Sequence, residues 1–348
     1  MGFRRITAQQ FNRIKELEKV MANKKHLGSL LRLGLSVVLL IIVFLMIDIE
    51  HFWEHLSSVD LTFFFLGLLA FFGATLMWAA RWHLLVRATG EIVSYGRILG
   101  TTMIGIFFSL FLPTLVGTDL GRMYELSRDQ ENKAGVVSTV LLDRLIGLGS
   151  LILMALTAII FGLSFIENTS IGPFVLFIGV ALVVGWFVFF NRKAMHYFTW
   201  VFRLPLVNRV EPIIRDIYNT LHFLQSKPRL MIMATVLSLL YNSLEVTAVI
   251  LIARALTVNV DPVYFFIFMP LIWLVTMVPI AISGLGLREG AFAFFFTQVG
   301  ITGADAVAIS LLFYSYTVIM GLSGGVILLV NNLNLYSPSV KPVKSIQD

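Results

Sequence analysis

Apolar residues do not alternate with polar ones along this chain; they run together. Nearly continuous apolar stretches cover residues 30–47, 61–80, 98–116, 136–163, 171–190, 229–256, 263–282 and 304–331. A helix needs about 20 mostly apolar residues to cross ~30 Å of hydrocarbon, and these stretches meet that length. A further apolar piece, Ala291 to Val299, is too short to cross. The pattern predicts an all-α, polytopic integral membrane protein with about 6–8 transmembrane helices. The longest connection, residues 191–228, is too short to hold a soluble domain. The chain therefore divides into a basic amphipathic leader at 1–26, a single transmembrane domain at 27–331 and a tail at 332–348.

Composition agrees. Of 348 residues, 58% are hydrophobic and 13% charged, against about 45–50% and 25% in soluble chains. That excludes a disordered chain and an ordinary soluble enzyme. A net charge of +6 is too small to point to nucleic acid. With no cysteine, disulfides, thiolate metal sites and cysteine nucleophiles are excluded. His51 and His55 have metal-like spacing but sit beside Trp53 in a polar connection, so no metal is expected. No phosphate-binding glycine loop is present either, so neither ATP nor a nucleotide cofactor is expected.

What charge does supply is orientation. Residues 1–26 and 191–229 each hold seven Lys or Arg and two acids, whereas 48–60, 164–172 and 257–261 hold no Lys or Arg. Cytoplasmic loops are enriched in Lys and Arg. The first two stretches are expected inside, the other three outside, with both termini cytoplasmic and the chain in the cell membrane. Counting crossings then puts both ends of 98–116 inside. That segment is expected to enter the membrane and return, broken at Pro113 and Gly117. For 263–282 the parity leaves two options, a re-entrant hairpin or a span followed by a broken return helix.

The breaks come in a pair. Phe111-Leu-Pro113 through Gly117 to Arg122 parallels Met277-Val-Pro279 through Gly284 and Gly286 to Arg288, each with an Arg nine positions after its Pro. The offset, from Pro113 to Pro279 and from Arg122 to Arg288, is 166 residues. It carries 61–80 onto 227–246 and 136–163 onto 302–329. One extra span, 171–190, lies between the copies, so halves at about 58–165 and 224–331 would cross in opposite directions. Inverted repeats with paired broken helices mark secondary transporters.

These segments resemble a known family. Gly117-Thr-Asp-Leu-Gly-Arg122-Met-Tyr, Leu141-Leu-Asp-Arg-Leu-Ile-Gly-Leu148 and Ser283-Gly-Leu-Gly-Leu-Arg-Glu-Gly-Ala-Phe292 are similar to segments of the membrane region of lysylphosphatidylglycerol synthases. Thr118 departs from the second glycine usual there. The resemblance implies the lipid-flippase part of that family, without the soluble synthase domain.

The candidate headgroup-binding residues are Asp119, Arg122, Arg144, Glu245, Arg288 and Glu289. A guanidinium is a bidentate partner for phosphate, and charge inside a membrane is costly. The plain alternative for Arg122 and Arg288 is snorkelling from helix ends. Asp143 and Arg144 suggest a pair that locks two helices. Glu245, mid-span with Asn242 one turn before it, suggests either an ion-pair partner or a proton carrier. Arg288 and Glu289, adjacent on a helix, are expected to diverge, leaving Glu289 to pair with the other half. Pro113, Gly117, Pro279, Gly284 and Gly286 are the candidate hinges. Amphipathic patterns at 3–21 and 210–224 suggest contact with anionic inner-leaflet lipids or a lipid-synthesis enzyme. The expected function is a lipid transporter or flippase for an anionic or aminoacylated phospholipid or a polyprenyl-phosphate-linked lipid. The alternatives are an intramembrane lipid-modifying transferase and a non-transporting subunit.

Overall fold

A computed structural model describes residues 59–112, 114–128, 133–161, 227–277 and 285–332, with residue 180 alone. The leader, the segments 30–47 and 171–190, the loop 191–226 and the tail lie outside the described residues, as do Pro113, Pro279 and Gly284. Among the described residues there are eight helices and no strand. They are α1 (Leu61–Ala88), α2 (Tyr95–Ser109), α3 (Thr114–Ser127), α4 (Lys133–Phe161), α5 (Pro228–Ala255), α6 (Pro262–Thr276), α7 (Leu287–Thr297) and α8 (Gly303–Asn332). Four of them are long and apolar enough to cross a membrane: α1, α4, α5 and α8.

The lengths repeat. Helices of 28, 15, 14 and 29 residues are followed by helices of 28, 15, 11 and 30. The packing repeats as well: α1 lies along α5, α2 packs on α8, and α6 packs on α4. At 1.5 Å per residue α2, α3, α6 and α7 are about 16–23 Å long, short of the bilayer's ~30 Å.

Helix starts follow local chemistry. Asp60 accepts the Thr62 N–H at 2.7 Å to begin α1, and Asp261 accepts the Val263 N–H at 3.0 Å to begin α6, where Pro262 takes the first turn. The segment 98–116 is not one helix. α2 stops at Ser109, a turn follows, and α3 begins at Thr114. Gly117 is therefore not the break. It sits in the first turn of α3, where a Cβ would come within 2.8 Å of the Ser109 Cα, so its small size lets the hairpin arms close. Gly286, by contrast, has φ +82°, a conformation natural only to glycine, and caps the start of α7.

The main core joins α5, α6, α7 and α8 through Val246, Ile252, Phe265, Phe268, Phe292, Phe296 and Ile309. Large apolar residues such as Phe65, Leu69, Ile232 and Leu329 stay exposed on the long helices. They are the surface that lipid would cover.

Candidate headgroup-binding site

Helical spacing gathers the site. On α1, Trp78, Arg81, Trp82 and Leu85 recur three and four apart on one stripe, and the last three are buried. Ser238, Tyr241, Asn242 and Glu245 do the same on α5. Asp119 and Arg122 are one turn apart on α3, and Asp143, Gly147 and Leu151 share a face of α4. Trp273, Thr276 and Met277 come from the end of α6. These helices enclose a cavity of about 270 Å³ lined by Trp78, Arg81, Asp119, Arg122, Asp143, Arg144, Tyr241, Asn242, Glu245 and Trp273, among others. That is at the small end of the ~300–1,000 Å³ typical of small-molecule sites, room for a headgroup rather than for acyl chains.

The charges form one network. Asp143, 1% exposed, accepts from Arg81 Nε at 2.6 Å and from Trp78 Nε1 at 2.9 Å, and pairs with Arg122 Nη2 at 2.9 Å. Arg81 Nη1 donates to Ser238 Oγ at 2.8 Å, tying α1 to α5. Arg144 bonds Asp119, whose other oxygen lies 3.9 Å from Arg122 Nη1. Small residues make room: Gly147 faces the Arg81 guanidinium, and a Cβ on Gly105 would meet the Arg122 Cγ at 2.8 Å.

Arg122 is the unusual member. It is 1% exposed and stacked over Trp82 at 4.0 Å and Trp78 at 5.0 Å from the ring centres. Its Nε and Nη2 are buried with no hydrogen-bond acceptor, because Asp143 is near enough to pair with Nη2 but badly angled to accept from it. Buried donors are nearly always satisfied, so two unaccepted donors on a residue that lines the cavity offer an external acceptor a place to bond. Three arginines stand against two aspartates around it.

The expected set divides. Asp119, Arg122, Arg144 and Glu245 meet in this cavity. Arg288 and Glu289 do not, and they do not diverge. Glu289, fully buried, bonds Arg288 (Arg288 Nε to Glu289 Oε1, 3.1 Å), and its Oε2 accepts the Gly286 N–H at 2.6 Å. Arg288 also donates to Ser310 Oγ at 2.9 Å and lies over Tyr314. Glu289 is thus spent within its own half: as third residue of α7 it reaches back to cap the helix, and that bend turns its carboxylate onto Arg288. Asp143 does lock helices, yet its partners are Arg81 and Arg122 rather than its neighbour Arg144. Sequence reasoning missed Arg81, which reads as the basic end of a short span. Its helix runs on to Ala88, which buries Arg81 to 3%. The signal was Trp78 and Trp82 beside it at helical spacing.

The arrangement defines a multi-pass helical membrane protein with a small, arginine-lined cavity between its helices. The family model described as lysylphosphatidylglycerol synthase TM region matches residues 29–325, and the chain belongs to that family. It is similar to a UPF0104 membrane protein of Methanothermobacter thermautotrophicus, 24% identical over 304 residues that cover 82% of this chain and 89% of that one. No solved structure matches it significantly.

Proposed function

We propose that the protein is a lipid transporter that carries a phosphate-bearing lipid headgroup between leaflets, with Arg122 as the group that meets the phosphate. The observation that carries this reading is the pair of buried, unaccepted donors of Arg122, a residue that lines the cavity. A phosphate leaving water must replace its hydration, and two guanidinium N–H groups held by stacked indoles offer that replacement. The substrate class is an anionic or aminoacylated phospholipid or a polyprenyl-phosphate-linked lipid. The reading involves no covalent chemistry.

The repeated helix lengths support an inverted repeat, in which the hairpins α2–α3 and α6–α7 dip into the membrane from opposite sides and rock between states. Lys/Arg asymmetry supports cytoplasmic termini in the cell membrane. Single cysteines introduced at Ser57 and Asn168 should then label from outside, and one at Lys227 should not.

The test is transport of fluorescent phosphatidylglycerol in liposomes. A charged hydrogen bond contributes about 1.5–3 kcal/mol, and 1.4 kcal/mol is about tenfold in rate. Arg122→Ala should slow transport at least about tenfold. Arg122→Lys should recover part, because the charge stays and the fork is lost. Wild-type rates in Arg122→Ala and in Arg122→Ala/Arg144→Ala would refute the assignment.

A further inference from the structure

Glu245 stands apart from the other charged groups of the cavity. Arginines hold Asp119 and Asp143 at contact, whereas no ion pair reaches Glu245 among the described residues. Arg81, whose charge acts on Glu245 across the cavity, already gives Nε to Asp143 and Nη1 to Ser238. The groups that share the cavity with Glu245 are Arg81 from α1, Asp119 and Arg122 from α3, Asp143 and Arg144 from α4, and Tyr241 from its own helix, whose hydroxyl hydrogen bonds it. α6 presents Trp273, Thr276 and Met277, none of which titrates, and α8, which also packs on α5, adds nothing to the lining.

The charge count turns on this one residue. With Glu245 ionised, three arginines and three carboxylates cancel. With Glu245 neutral, the cavity carries one net positive charge, which a phosphodiester monoanion cancels. A carboxylate taken out of water without a contacting cation gives up its charge for a proton more readily than a paired one. A second anion in the same small, water-poor space adds repulsion that favours that exchange.

We propose that Glu245 couples phosphate binding in the cavity to the uptake of one proton, so that the headgroup is loaded as a lipid–proton pair. This rests on the lipid-anion reading above and deepens it. The bound state is then electrically balanced. The proton enters with the anion and leaves with it, so the translocation step moves no net charge and a proton gradient can drive it.

The sign follows from linkage. If the anion-bound form holds one more proton than the free form, affinity falls as pH rises, by up to about tenfold per unit. Dihexanoylphosphatidylglycerol is a suitable probe, because its phosphodiester keeps one negative charge throughout. Binding to the full-length protein in detergent is measured by calorimetry at pH 5.5 and pH 8, in buffers of different ionisation enthalpy, which counts protons. Wild type should bind at least about tenfold more weakly at pH 8 and take up about one proton per ligand. Glu245→Gln should bind tightly at both pH values with no proton uptake, and Glu245→Asp should retain the coupling. Dimethyl phosphate in parallel distinguishes a free phosphodiester from a lipid headgroup, and proton uptake with either supports the coupling.

Arg122-dependent binding with no proton uptake by wild type overturns the coupling and leaves the proposed function standing. Proton uptake that persists in Glu245→Gln assigns it to another group and also overturns it. No Arg122-dependent binding at either pH overturns both. Should Glu245→Gln not fold, Glu245→Asp decides through its pH profile: a profile that coincides with that of wild type assigns the proton to another group and overturns the coupling.

Discussion

Consider the replacement of Asp143 by asparagine. The native carboxylate neutralises two arginines, Arg81 at 2.6 Å and Arg122 at 2.9 Å, and all three side chains are at most 4% exposed. An amide there could still accept one hydrogen bond, but two guanidinium charges would remain with no anion at contact. Removing one partner of a buried ion pair costs roughly 3–5 kcal/mol. The pair Arg144–Asp119 makes the comparison: its side chains are 31% and 13% exposed, so screening cuts its worth to about 1 kcal/mol or less. Unfolding by a denaturing detergent in mixed micelles should therefore show Asp143→Asn several times more destabilising than Arg144→Gln. Adding Arg122→Gln to Asp143→Asn removes one stranded charge. The double variant should cost less than the sum of the singles by at least about 1 kcal/mol. Equal costs for the two pairs, or strict additivity in the double variant, would refute the reasoning that burial sets the value of this network.

Other expectations follow from the packing and from the second arginine. A Cβ on Gly324 would lie 2.0 Å from the Met103 carbonyl oxygen, so Gly324→Ala should force α8 away from α2 and cost about 1–3 kcal/mol in the same unfolding titration. Tyr316 donates to the Phe64 carbonyl at 2.6 Å, so Tyr316→Phe should cost about 1 kcal/mol. The Tyr316 hydroxyl is also what a Cβ on Gly67 would strike, so Gly67→Ala should be milder in the Tyr316→Phe background. Arg288→Gln strands the buried Glu289 outside the cavity, so it should lower stability, while Arg288→Gln/Glu289→Gln should fold and transport far better than Arg122→Ala.

How much of this was legible in the chain depends on the range of the interaction. Four long helices and their apolar character are local properties, and the runs at 61–80, 136–163, 229–256 and 304–331 mark them. Arg144 and Glu245 stood out as charges inside apolar runs, and Asp119 and Arg122 as charges just after one is broken; all four line the cavity. The end of a helix was less visible. Arg81 looked like a boundary because hydropathy falls there, although the backbone continues for seven more residues and buries it. The matched positions of Arg122 and Arg288 suggested matched roles. What separates them is a partner in space: Glu289 and Ser310 accept from the Arg288 donors, whereas Arg122 pairs with Asp143 by charge and its Nε and Nη2 still lack an acceptor. The way Arg122 packs against α1 and α4 decides that, and no sequence period encodes it.

The stacking of Arg122 on Trp78 and Trp82 has an optical consequence. Two of the six tryptophans, Trp78 and Trp273, line the cavity, and the rings of Trp78 and Trp82 both lie within 5.0 Å of the Arg122 guanidinium. An indole's emission follows the electric field along its ring, and here that field is set by a cation and by Asp143, which Trp78 itself hydrogen bonds. An anion that draws Arg122 forward changes both at once. The protein thus carries a built-in chromophore for occupancy of its own site, readable at the red edge of tryptophan emission without any label on protein or lipid.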